Sequence, residues 1–255
     1  MTTSTDAGIR LERDGHVARI TLDRPEQHNA LRAGEVAAFR GYLDELERAE
    51  GTRVLLLTGA GDRTFCSGAS LAQMESGEMS GAVFDTLTDR LSHFPLPTVC
   101  ALNGSAYGGG AELALCCDFR IGTPEMRLSV PAARLGVCYP VGGLGRYVRR
   151  LGLGAASRIL LAHEEMTGEE LFRIGFLTHL AGTDARTEAD ALAEKLAALA
   201  PLAVQGMKRI MLAIAEGTLD AAEAERAISH VTESDDLREG LRAVRERREP
   251  DFQGR

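Results

Sequence analysis

No run of apolar residues in this chain is long enough to span a bilayer, and the opening MTTSTDAGIRLERDG lacks the charged-then-apolar order of a signal peptide. The expectation is a cytoplasmic protein with no membrane partner. Positive charge is also in short supply: Lys plus Arg total 29 against 37 Asp plus Glu, a formal net charge of -8, which argues against nucleic acid as a partner. The five cysteines, Cys66, Cys100, Cys116, Cys117 and Cys138, are odd in number and show no CxxC spacing, which argues against a disulfide framework or a zinc site. They read as reduced core thiols without a neighbouring His to activate a nucleophile. Low-complexity tracts are missing too. The 255 residues, 44% hydrophobic and 26% charged, suit a soluble globular protein able to bury a substantial core.

What is present alternates between short β-like runs and helices. HVARITL reads as a strand, residues 33–50 as a helix, and RVLLLTG as a strand buried on both faces, because its Val and Leu are continuous. After the loop AGDRTFCSGAS comes a helix-like region up to residue 94. The strand PTVCAL, the glycine loop NGSAYGGG, the helix AELALCC and the strand DFRIGT follow. This is an α/β pattern in which two strand-loop-helix units repeat, each with glycine in the loop. Beyond about residue 187 the strand signal disappears. Alanine-rich helix, interrupted at Pro201, runs through DAAEAERAISHVTESDDLREGLRAVRERRE, a texture that suits packing on its own domain or on a neighbouring subunit.

The loop-to-helix junction YGGGAELALCC carries one carboxylate, Glu112, in an otherwise apolar setting. Glycines ahead of a helix let backbone N–H groups approach a ligand, which suits a developing oxyanion, a phosphate or plain packing. Spacing does not choose among these. Glu112 in the first helical turn also complements the helix dipole without any catalytic task. MESGEMSGAVFD (74–85) has the Gly and Ser content of a mobile segment bordering a pocket. Arg146, Arg149 and Arg150 read as a helix face or an interface.

Four ordered segments, LDRPEQHNAL (22–31), FCSGASL (65–71), NGSAYGGGAELALCCD (103–118) and LGVCYPVGGLGRYVRRLG (135–152), resemble the crotonase, or enoyl-CoA hydratase/isomerase, superfamily. The resemblance continues through LREGLRAVRERREPDF (237–252). It implies an α/β spiral of repeated ββα units over residues 1–190 and a helical C-terminal oligomerisation region over residues 191–255. Assembly as a homotrimer or a dimer of trimers follows, with an acyl-CoA thioester as substrate. No metal and no separate cofactor is implied, since coenzyme A is part of the substrate.

Carried over by position, the resemblance makes the backbone N–H groups of Ala69 and Gly109 the oxyanion hole and Glu112 the catalytic acid/base. It places His28, Ala30, Ser70, Leu71, Pro131 and Ala132 along the acyl-CoA, with Val244 and Arg247 of the C-terminal helix reaching the coenzyme of an adjacent subunit. Hydratases of this family use two glutamates, and the second position is Ala132 here; an acidic alternative used by some isomerases falls on Pro140. Neither can transfer a proton. Tyr139, in LGVCYP, is similar to a tyrosine of the methylmalonyl-CoA decarboxylase branch, although that branch has a histidine where this chain has Ala69. The leading expectation is therefore an enoyl-CoA hydratase-like enzyme with Glu112 as sole acid/base. The alternatives are a malonyl-type acyl-CoA decarboxylase with Tyr139 as helper, and a catalytically degenerate acyl-CoA-binding protein.

Overall fold

The computed structural model describes residues 2–6 and 8–255. Its strands are β1 (Thr2–Asp6), β2 (Ile9–Asp14), β3 (Val17–Leu22), β4 (Val54–Gly59), β5 (Thr64–Cys66), β6 (Thr98–Leu102), β7 (Ser105–Tyr107), β8 (Phe119–Gly122), β9 (Arg127–Ser129), β10 (Met166–Thr167) and β11 (His179–Leu180). The helices in the first two thirds are α1 (Ala33–Arg48), α2 (Leu71–Ser76), α3 (Gly81–Ser92), α4 (Gly109–Leu115), α5 (Val141–Leu160) and α6 (Gly168–Arg173). Four more follow: α7 (Ala185–Ala197), α8 (Pro201–Glu216), α9 (Ala221–Thr232) and α10 (Asp235–Glu246).

Two sheets organise the chain, a large one in the order β1-β2-β3-β4-β6-β8-β11 and a small one in the order β10-β9-β7-β5. Successive turns give one strand to each sheet: β4 then β5, β6 then β7, β8 then β9. The turns are closed by α2 with α3, by α4 and by α5. This is the spiral of ββα units.

All six residues of β4 are buried, as its continuous apolar run predicts for a central parallel strand covered on both faces. Alternation along β4 divides the core. Leu55 and Leu57 pack with Phe39, Leu87 and Leu113 on one side, while Val54 and Leu56 pack with Ala185, Ala189, Ala193 and Ala197 on the other. The alanines recur every fourth residue on α7, a stripe of small side chains that lets the helix lie close to the sheet. The change of region at 190/191 thus falls inside a helix that covers the large sheet.

The structure differs from the sequence reading at several junctions. β5 and β7 lie within stretches expected to be loops; at three residues each, flanked by Gly and Ser, they carry no readable periodicity. The helical region expected up to residue 94 is two helices, because Ser80 Oγ accepts a hydrogen bond from Val83 N–H and starts α3 afresh. Ser234 does the same between α9 and α10, accepting from Leu237 N–H. Cys138, expected in the core, is exposed, whereas the other four cysteines are buried. Burial pushes the Cys66 and Cys116 thiols up to about 12, which makes them poor nucleophiles.

Candidate active site

β5, β7 and β9 run parallel, so their carboxyl ends open on one edge of the small sheet. The segments that follow them therefore emerge side by side, which is where α/β folds present ligand sites. Gly68 packs so tightly on the next segment that a Cβ added to it would lie 2.5 Å from Gly109 N, and its φ is +90°. Both constraints select glycine. Leu31 brackets the neighbouring residue: Leu31 N–H donates to Gly68 O and Ser70 N–H donates to Leu31 O, both at 2.8 Å. Between them the Ala69 N–H has no backbone acceptor among the described residues. Gly109 opens α4, where N–H groups find no partner within their own helix. Two backbone donors without a hydrogen-bond acceptor among the described residues thus flank the Gly68–Gly109 contact.

Glu112 lies in the first turn of α4 and is only 3% exposed. A bare carboxylate at that depth would be prohibitive, and it is not bare: Arg146 Nη2, on α5, donates to Glu112 Oε1 at 2.8 Å. The same Nη2 donates to Asp85 Oδ1 at 3.1 Å and to Thr88 Oγ1 at 2.7 Å. Arg146 Nη1 donates to Asp89 Oδ1 at 2.7 Å. One buried guanidinium therefore ties α3, α4 and α5 together.

Two effects compete on Glu112. Burial pushes its pKa up, the Arg146 hydrogen bond and charge pull it down, and the Asp85 charge adds to the upward push. Burial prevails, so Glu112 takes up a proton above the ordinary glutamate range. The first helical turn alone accounts for neither its depth nor its partner. The reading of three arginines as a helix face or interface is corrected for Arg146, which points inward. Arg149 pairs with Glu216 at 3.2 Å, and Arg150 donates to Cys117 O at 2.8 Å. The sequence held only a general signal: a carboxylate in an apolar run calls for a cation from elsewhere in the chain, without saying which.

Glu112 borders a cavity of about 440 Å³. Leu71, Met74, Phe84, Leu135 and Val137 supply much of its apolar wall. Of the residues expected at the site, His28, Ala69, Leu71, Gly109, Glu112, Pro131, Ala132 and Tyr139 line it. Ala30 and Ser70 lie in the adjoining segments but outside the wall, and Val244 and Arg247 are at the far end of α10, also outside it. His28 has its Nδ1 3.0 Å from Thr64 Oγ1. The segment expected to border the pocket does so, through Met74, Ser80, Gly81, Phe84 and Asp85.

The Tyr139 ring meets Tyr147 edge-on, with centroids 6.2 Å apart at 85°. Burial first, and the Glu112 charge second, push its phenol up, so it is a neutral donor rather than a base. Asp85 is the acidic group in the wall that sequence reasoning missed. It was read as the end of a mobile segment, whereas it belongs to α3, with its side chain 25% exposed.

An α/β spiral whose small-sheet edge gathers free N–H donors and a buried carboxylate around one cavity defines the class of protein. The sequence matches the enoyl-CoA hydratase/isomerase family over residues 12–255, and the chain belongs to that family, within the crotonase superfamily. It is 32% identical to the 2,3-dehydroadipyl-CoA hydratase of Escherichia coli over 251 residues, covering 96% of this chain and 98% of the relative. It is 33% identical to the carnitinyl-CoA dehydratase of Proteus mirabilis over 265 residues, covering 97% and 98%. Its structure resembles that of an enoyl-CoA hydratase from Mycobacterium tuberculosis with a TM-score of 0.88 at 31% identity, over 98% of this chain and all of the other.

Proposed function

We propose that this protein adds water across the α,β double bond of an enoyl-CoA thioester, with Glu112 as acid/base and the Ala69 and Gly109 N–H groups holding the thioester oxygen. The observation that carries the reading is Glu112 itself: a deeply buried carboxylate with a raised pKa, lining the cavity that two unpaired N–H groups also border. As the water oxygen bonds to the β carbon, its proton passes to Glu112 and the π pair moves toward the thioester oxygen. The two N–H donors meet the negative charge that develops there. Glu112 then returns the proton to the α carbon, so one carboxylate serves both steps.

Coenzyme A belongs to the substrate in this reading, and no metal or separate cofactor takes part. Assembly as a homotrimer or a dimer of trimers fits the exposed Met207, Met211 and Ile214, which share one face of α8. Val244 and Arg247 enter the reading only through a neighbouring protomer, since they lie outside this chain's cavity wall.

The test is loss of enone absorbance from a panel of enoyl-CoA thioesters. As a base, Glu112 must be ionised, so kcat/KM should fall as pH drops through a value above the ordinary glutamate range. Turnover that persists unchanged into that range contradicts the assignment. Release of CO2 from a substituted malonyl-CoA, with no hydration of any enoyl-CoA, would put the decarboxylase reading in its place.

Gly68→Ala tests the donor pair. The new Cβ would meet Gly109 N at 2.5 Å and force both N–H groups off their common target. A loss on the order of 10²–10³-fold in kcat is expected, as for removal of an oxyanion donor. Normal kcat in a folded Gly68→Ala variant would detach Ala69 and Gly109 from the chemistry.

A further inference from the structure

We propose that Asp85 is the second carboxylate of this site and that, together with Glu112, it holds the water to be added. The proposal rests on the hydratase reading above. An attacking water has two O–H groups. One proton goes to the base, and an acceptor for the other fixes the direction of the oxygen lone pair. The loop expected to supply a second acid offers Ala132 and Pro140, neither of which has a side-chain acceptor. Asp85 comes from another element, α3, and lines the same cavity.

Arg146 sets the spacing of the two carboxylates. Its Nη2 carries Glu112 Oε1 at 2.8 Å and Asp85 Oδ1 at 3.1 Å, so each acid spends one oxygen on the same nitrogen. Among the described residues, no hydrogen bond from the protein engages the remaining oxygens, Glu112 Oε2 and Asp85 Oδ2. The start of α5 makes room for both groups. A Cβ on Gly142 would lie 3.2 Å from Asp85 Oδ1, and a Cβ on the next residue, Gly143, would lie 2.8 Å from Glu112 Oε1. Consecutive glycines thus face the acidic groups, Gly142 having Asp89 Oδ1 at 3.4 Å from such a Cβ as well, and the guanidinium offsets the repulsion of like charges around it.

Service as a counter-ion to Arg146 does not account for this placement. Asp89 already fills that role from the solvent side, at 2.7 Å from Nη1, with its side chain 56% exposed and outside the cavity wall. Asp85 binds the same guanidinium from inside the cavity. In the reaction, the water oxygen bonds to the β carbon as one proton moves to Glu112, and Glu112 gives that proton to the α carbon. Asp85 accepts a hydrogen bond from the other O–H throughout. That proton stays on the product hydroxyl, and Asp85 ends with the charge it began with.

The experiment compares two reactions of the intact enzyme. Hydration of an enoyl-CoA needs a positioned water. Exchange of the α proton of a saturated acyl-CoA in D2O needs Glu112 and the N–H pair but adds no water. Asp85→Asn can keep its carbonyl on Arg146 while turning an NH2, a donor, toward the water. The expected result is a fall in hydration kcat of about 10- to 100-fold, with exchange retained within about threefold. Asp89→Asn should lower hydration less than Asp85→Asn, and Glu112→Gln should lose both reactions. Retained exchange also shows that the Asp85 variant is folded. Hydration by Asp85→Asn at the wild-type rate overturns the proposal. So does an equal loss of hydration and exchange, since Asp85 would then act only by holding Arg146. A wild-type enzyme that hydrates no enoyl-CoA removes the hydratase reading and this proposal with it, a result obtained before any variant is made.

Discussion

Glu112→Gln is expected to lower kcat for enoyl-CoA hydration on the order of 10²–10⁴-fold, the usual contribution of a positioned acid/base, with a much smaller change in KM. The amide has the shape of the carboxyl group but cannot take the proton from water. Stability should move the other way. Glutamine leaves Arg146 paired with Asp85 and Asp89, so no buried charge is stranded. The pKa of Glu112 is raised in the folded state, so its stabilising contribution is fully present below the ordinary glutamate range. That contribution is lost as pH rises through the raised value. Glutamine does not titrate and mimics the protonated form. Wild type and variant should therefore unfold at similar denaturant concentrations in acid, and the variant should gain on wild type toward neutral pH. A variant that loses activity because it is globally unfolded, or one that turns over normally, contradicts the role given to Glu112.

The legible parts of this site are those that lie close together in sequence. YGGGAE places Gly109 and Glu112 within one turn of helix and FCSGASL carries Gly68 and Ala69, but spacing left oxyanion, phosphate and packing roles open. Only the resemblance of the ordered segments to the crotonase superfamily singled these residues out as candidates. The same resemblance puts Ala132 where hydratases of the family carry a second glutamate. Arg146 and Asp85 escaped for a common physical reason. Each acts on a partner far away in the chain, Arg146 standing 34 positions from Glu112 and 61 from Asp85. Each is also a charged residue of a kind that usually faces solvent. GRYVRR contains three arginines, and nothing local says that the first turns inward. Four strands of the large sheet, β3, β4, β6 and β8, were readable from apolar runs such as VLLLTG, whereas β1, β2 and the two-residue β11 were not. The small sheet was not, since its three-residue strands TFC and SAY lie inside glycine-containing loops. That sheet nevertheless positions the candidate site, because its parallel ends bring the Ala69 and Gly109 segments to one edge.

Arg146→Met is the substitution expected to cost the most stability. It leaves Glu112, at 3% exposure, and the partly buried Asp85 facing each other without the cation that now lies between them. Removing one partner of a buried pair typically costs about 3–5 kcal/mol, more than methionine regains by filling apolar space. The loss should depend on pH with a definite sign. Without Arg146, both of its downward influences on Glu112 disappear, while burial and the Asp85 charge continue to push upward. A carboxylate with a raised folded pKa stabilises the protein while protonated and ceases to do so as pH rises through that value. The defect should therefore be small in acid and grow toward neutral and alkaline pH, as read from urea denaturation midpoints across that span. Arg146→Lys should not restore wild-type behaviour, because one ammonium cannot serve Asp89 through Nη1 while Nη2 serves Glu112, Asp85 and Thr88. The acid limb of any residual hydration by Arg146→Met should shift upward as well, since the same carboxylate must ionise before it can act as a base. A pH-independent stability loss, or a limb that stays in place, would mean that the guanidinium braces three helices without tuning Glu112.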